Sequence, residues 1–197
     1  MLSDIFLIIL NAVYWVLMPA ALLRFYMQLR SLSFRGALGQ YVRAITDWIV
    51  LPLRRIFKGA GYDWASLITA FLFELVYVFL KVAAKTMSLA LVTSAPGVLS
   101  WLIMAIIGVV ISAVVLMMIL LFLYVVLSLL VPRDENLIAN QMGLMVTPWL
   151  RPFRRFVPVI GNVDFSPLAL GVVLSIIYLI LDKYFLNLAL ALPLMLR

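Results

Sequence analysis

The sequence predicts an all-α, polytopic membrane protein: four transmembrane helices in two parallel repeats, with amphipathic interfacial helices in the cytoplasmic loops. Three observations carry this prediction. Of the 197 residues, 67% are hydrophobic and 12% charged, whereas soluble domains are about one-quarter charged. Four apolar runs are long enough to cross a hydrocarbon core about 30 Å thick: Ile5 to Leu23, Trp64 to Leu80, Ile106 to Leu130 and Phe165 to Leu181. A Pro-apolar-Arg-Arg-apolar-apolar block also occurs twice, as Pro52-Leu53-Arg54-Arg55-Ile56-Phe57 ahead of Asp63 and as Pro152-Phe153-Arg154-Arg155-Phe156-Val157 ahead of Asp164. A duplicated block at matching places between spans is the mark of an internal repeat, which divides the chain into residues 1–97 and 98–197.

The first run has no basic residue before it, and Asp4 stands there instead, so it reads as a retained span rather than a cleaved signal peptide. In the loop that follows, Tyr41, Ile45, Trp48 and Ile49 share one helical face, with Arg43 and Asp47 off it. That pattern predicts an amphipathic helix lying on the membrane. Gly59 and Gly61 then supply a tight turn, and Asp63, directly before a span, is placed to cap it. The second span carries Glu74 about ten residues in. A carboxylate at that depth must be protonated, paired or facing water, so Glu74 is either an ion or proton site or an interhelical hydrogen bond.

The apolar stretch from Val98 to Val131 would make a straight helix of about 50 Å. Its early part is therefore expected to be interfacial or re-entrant over residues 86–105, after the Pro96-Gly97 turn, with the third span beginning near Ile106. In the second basic loop Trp149, Phe153 and Phe156 share one face, and Arg151, Arg154 and Arg155 the other. Asp164 opens the fourth span as Asp63 opens the second. Lys81 falls seventeen residues after Trp64 and Asp182 seventeen after Phe165, so each repeat ends its second span alike. Small pairs four apart, Gly108 with Ser112, Gly171 with Ser175 and Ala65 with Thr69, permit close helix contact or a homo-oligomer.

Eleven of the fifteen cations lie in the two long loops, so the positive-inside rule puts those loops in the cytoplasm and both termini outside. Splitting the run from 98 to 131 into two spans would send Arg133, Arg151, Arg154 and Arg155 outside, against that rule.

The chain has no cysteine and no histidine. This removes disulfides, thiolate and imidazole chemistry and the usual metal or haem ligands. The ten methionines are scattered through apolar runs, where packing is their ordinary use. No metal, cofactor or catalytic residue is expected, and an intramembrane enzyme is a distant reading. The net charge of +7 is spread along loops without a nucleic-acid fold, which favours anionic lipid as partner over nucleic acid.

Arg54, Arg55, Arg154 and Arg155, with Trp48 and Trp149, form the candidate lipid- or partner-binding set. One reading makes them interfacial anchors. Another takes Pro52 and Pro152 as the first residues of short helices, which sets the Arg pairs against the helix dipole and calls for a nearby anion. A lipid phosphate, a partner carboxylate, or Asp63 and Asp164 would serve; Arg55 with Asp164 and Arg155 with Asp63 would dock the repeats across a pseudo-two-fold axis.

The Pro-Leu-Arg-Arg and Pro-Phe-Arg-Arg blocks with Asp63 and Asp164, the Asp164-Phe165-Ser166-Pro167 start and the Leu23-Arg24-Phe25-Tyr26-Met27-Gln28 segment resemble the YggT proteins, called YlmG in some lineages. The resemblance covers nearly the whole chain. Lys58 departs from it, where the family often has proline as at Pro158. It implies a small multi-pass protein of the bacterial inner membrane without known enzymatic activity. Relatives are tied to osmotic and potassium tolerance, to cell division and nucleoid placement, and to haem attachment in a photosynthetic cytochrome complex. Direct haem ligation by His or Cys has no residue here. The leading expectation is a non-enzymatic scaffold or assembly factor; the alternative is a small ion channel or transport accessory, with Glu74 in a polar path.

Overall fold

A computed structural model describes residues 2–57, 63–86, 95–130, 137–157 and 164–191. Among them all regular structure is helical: α1 (Leu2–Leu29), α2 (Ala37–Ile56), α3 (Trp64–Thr86), α4 (Ala95–Leu130), α5 (Leu137–Phe156) and α6 (Ser166–Ala191). Four of these, α1, α3, α4 and α6, are long and apolar enough to cross a membrane. In a hydrocarbon core every backbone amide must be bonded within its own segment, and helices achieve this.

Within each repeat a long helix, a shorter amphipathic helix and a second long helix follow one another. Helix α3 packs on α1, α6 packs on α4, and α4 joins the repeats by packing on both α3 and α1. The amphipathic helices are in register across the duplication. Gly39, Val42, Thr46 and Val50 are the buried positions of α2, and the buried Ala139, Met142, Val146 and Leu150 of α5 lie one hundred positions on. Spacings of three and four put these residues on one stripe, which packs against the spans. The face predicted to lie on the membrane, with Tyr41 and Trp48, is the exposed one. Each amphipathic helix thus has one apolar side for protein and another left open.

Both amphipathic helices sit at the same end of the bundle, since Trp149 of α5 donates its indole N–H to the Tyr26 hydroxyl near the end of α1, at 2.8 Å. The main core gathers there too. Met18, Ala21, Met27, Val42, Met145, Val146 and Leu150 are fully buried in it. Helix α1 ends in a Schellman motif: the Leu32 N–H bonds the Met27 carbonyl at 2.8 Å and the Ser31 N–H the Gln28 carbonyl at 2.9 Å. Ser31 takes the left-handed conformation this motif needs, with φ 52°.

The stretch expected to be interfacial differs. Residues 87–94 lie outside the described residues, but 95–105 are the first turns of the same helix as the third span. Packing onto α3 is the reason. Met104 and Ala105 are buried, Met104 against Val78, and Trp101 donates its indole N–H to the Leu75 carbonyl at 3.0 Å. The Pro96 of the expected turn occupies the first turn of α4, where its missing N–H costs no hydrogen bond. The surplus length emerges at the other end, where Leu129 and Leu130 are 80% and 72% exposed.

Candidate functional site

The Arg pairs fall in the last turns of α2 and α5, with Pro52 and Pro152 inside those helices. This corrects the reading that placed the prolines first and the arginines against the dipole. At a C-terminus the dipole favours cations, so the helix itself calls for no extra anion.

Within each pair the two arginines part company. Arg54 forks onto Asp63, Nε to Oδ1 at 3.1 Å and Nη2 to Oδ2 at 2.6 Å, and Nη2 also donates to Gln28 Oε1 at 2.7 Å. Arg154 repeats the pattern, with Nε to Asp164 Oδ2 at 2.9 Å and Nη2 to the Tyr124 hydroxyl at 3.3 Å. Each first arginine therefore ties the end of its amphipathic helix to the start of the following span and the end of the preceding one. A planar guanidinium with several fixed donors suits this, where an ammonium would not. Arg55 and Arg155, next in sequence, are exposed and point to no partner among the described residues.

The two aspartates differ in depth. The Asp63 side chain is 2% exposed and that of Asp164 32%. Burial works to raise the Asp63 carboxyl, but hydrogen bonds from Arg54 and Ser66 outweigh it and hold it below the usual carboxylate range. Asp164 is held low against a smaller burial effect by Ser166, whose backbone N–H reaches Oδ1 at 2.9 Å, and by Arg154. The cross-repeat pairs Arg55–Asp164 and Arg155–Asp63 are not what the structure forms, because each aspartate is taken within its own repeat. Docking runs instead through Tyr26, which donates to the Met145 carbonyl at 2.6 Å while accepting from Trp149.

Trp48 and Trp149 accordingly do different things. Trp48 is 62% exposed, bonds the Ile45 carbonyl of its own helix and packs near Phe73, whereas Trp149 joins the repeats. Sequence reasoning quoted Tyr26 only within the Leu23–Gln28 segment and gave it no role, and it counted Arg24 among the eleven cations of the two long loops. Arg24 is in fact 3% exposed and bonds Thr46 and Asp47 of α2, each at 2.6 Å, fixing that helix to α1. The usable signal was its place within helical reach of the first span, four residues before Gln28.

Glu74 is buried at mid-span, where it accepts the Tyr14 hydroxyl of α1 at 2.7 Å; Tyr14 Oη also lies 2.6 Å from Ser112 Oγ of α4. A Cβ on Gly108 would collide with the Glu74 carboxylate, so this glycine is what lets α4 approach. One turn outward, Tyr77 donates to Asn11 Oδ1 and accepts from Lys81 Nζ, both at 2.9 Å, and Tyr77 stacks on Tyr14 at 3.8 Å. Among the described residues no group of three or more acids could hold a metal ion.

Two sets of long helix, amphipathic helix and long helix, clamped alike, define a small polytopic α-helical membrane protein. The family model described as CCB3/YggT matches residues 2–84 and 98–185, and the chain belongs to that family. It is 30% identical over 157 residues to "Uncharacterized protein YggT" of Escherichia coli (strain K12), covering 79% of this chain and 78% of that protein. It is 31% identical over 157 residues to "Uncharacterized protein PA0392" of Pseudomonas aeruginosa, covering 79% and 77%. No solved structure matches.

Proposed function

We propose that the protein is a non-enzymatic scaffold or assembly factor of the bacterial inner membrane. Its two basic amphipathic helices face the cytoplasm and hold an acidic surface, either anionic lipid headgroups or the acidic face of a partner membrane protein. The observation that carries this is the division of labour within each Arg pair: one arginine is spent on the fold, and the next stands exposed beside exposed aromatics, Phe57 and Phe156. Exposed Arg at the membrane surface attracts anionic lipid by about 1 kcal/mol per charge. Osmotic homeostasis, cell division and membrane-complex assembly are the settings that the family resemblance implies. The test is crosslinking in native membranes followed by purification of the chain, wild type against Arg55→Gln/Arg155→Gln. Loss of co-purifying acidic lipid or protein from the variant, with its melting unchanged, is the expected result; equal recovery would reject the reading.

The transport alternative has one observation in its favour, the polar groups running from Lys81 through Tyr77 and Asn11 to Tyr14, Glu74 and Ser112. Against it, Met18, Ala21 and Ala70, the next turns of the same two helices, are fully buried and apolar. A conducting path needs lining carbonyls, charges or water throughout. Potassium or proton flux in vesicles that Glu74→Gln abolishes would restore the alternative; flux no higher than in empty vesicles would remove it.

A further inference from the structure

Between the repeats lies a cleft of about 380 Å³, backed by α4 and walled by α1 and α6. Its lining is almost wholly apolar. Along α4 it runs from Val109 to Leu120, about 17 Å of helix axis, which is about half of a 30 Å hydrocarbon core. At the end that carries the amphipathic helices it is lined by Tyr26 and Trp149, whose polar atoms are bonded to each other and to the Met145 carbonyl. Arg30, exposed, stands one turn beyond Tyr26, its N–H on the Tyr26 carbonyl.

From this geometry we infer that the cleft is a binding site for one acyl chain of an anionic phospholipid from the leaflet on the basic face, its phosphate lying near Arg30. Depth decides the occupant. A partner's transmembrane helix, or one from a second copy, would need a groove along the whole span, whereas this one stops near mid-membrane, as a single leaflet's tails do. Charge complementarity decides the headgroup: an apolar trough ending at Tyr26, under the exposed Arg30 guanidinium, selects a lipid that is apolar below and anionic above. Such a lipid would fill the gap between modules otherwise joined at this end through Tyr26 and Trp149, and so make their docking dependent on membrane composition. The inference rests on the lipid half of the function proposed above, but on a different set of residues.

The experiment is native mass spectrometry of the full chain in a mild detergent, exposed to equal amounts of phosphatidylglycerol and phosphatidylethanolamine. Wild type is expected to retain one phosphatidylglycerol. Ala113→Trp, and separately Val110→Phe, fill the cleft and should lose that lipid, while Arg30→Gln should retain both lipids equally. Arg55→Gln/Arg155→Gln should keep it, which separates failure of this site from failure of the proposed function. Wild type carrying no lipid, or carrying both lipids equally, would overturn the inference. So would retention in both cleft-filled variants, or a dimer that those variants dissociate.

Discussion

The structure separates residues that look equivalent in sequence. Arg54 and Arg154 occupy matched positions, yet removing Arg54 strands a carboxylate that is 2% exposed, whereas Asp164 is 32% exposed. Arg54→Ala should therefore cost about 1–3 kcal/mol, the penalty for an unsatisfied buried group, and Arg154→Ala under about 1 kcal/mol, read as chemical denaturation in detergent. Equal costs would mean the two clamps are not graded by burial. Both carboxyls are held below their ordinary range, so the stability they contribute is present above the unfolded value of about 4 and is lost as pH falls through their lower folded values. Melting temperature should be flat from neutral pH to about 5 and fall below about 4, and Asp63→Asn should shrink that fall. The repeated motif and its aspartates were legible in sequence because they lie nine or ten residues apart. Which arginine each would take was not, since Arg54 and Arg55 differ only in which way the last helical turn points them.

At the scale of elements, the four spans and two amphipathic helices were legible from hydropathy and from 3.6-residue periodicity. The contacts that hold them together were not. Tyr14 meets Glu74 sixty residues away and Tyr26 meets Met145 at a separation of 119, and pattern within a segment says nothing about such partners. The expectation for residues 95–105 failed for the same reason, because the packing of Trp101 and Met104 on α3 appears only in the assembled bundle. Where α3 meets α4, Gly108→Ala should destabilise by about 1–3 kcal/mol through overpacking, and Glu74→Ala in the same chain should relieve most of that cost. If the double variant is as unstable as the sum of the singles, the carboxylate is not what Gly108 makes room for. At the end of α1, Ser31→Gly should stabilise by about 0.5 kcal/mol, since glycine reaches the left-handed region without a Cβ penalty. A variant that melts lower would contradict the Schellman geometry.

For the whole molecule, the two halves share one clamp and differ in what each adds to it. Both repeats keep the clamp that fixes each amphipathic helix to its two spans. The first repeat adds the buried Arg24 with Thr46 and Asp47; the second supplies Trp149 for docking. Joined, they hold two basic helices at one end of the bundle. The central claim is that the first arginine of each pair maintains the fold and the second binds acidic groups. It is tested most directly by melting wild type, Arg54→Gln/Arg154→Gln and Arg55→Gln/Arg155→Gln during titration with phosphatidylglycerol, because a ligand stabilises by RT ln(1 + [L]/Kd). The account predicts a lowered starting melting temperature for the first variant. For the second it predicts a wild-type starting point with a reduced gain on adding lipid. A full gain in Arg55→Gln/Arg155→Gln, or a wild-type starting point in Arg54→Gln/Arg154→Gln, would contradict it.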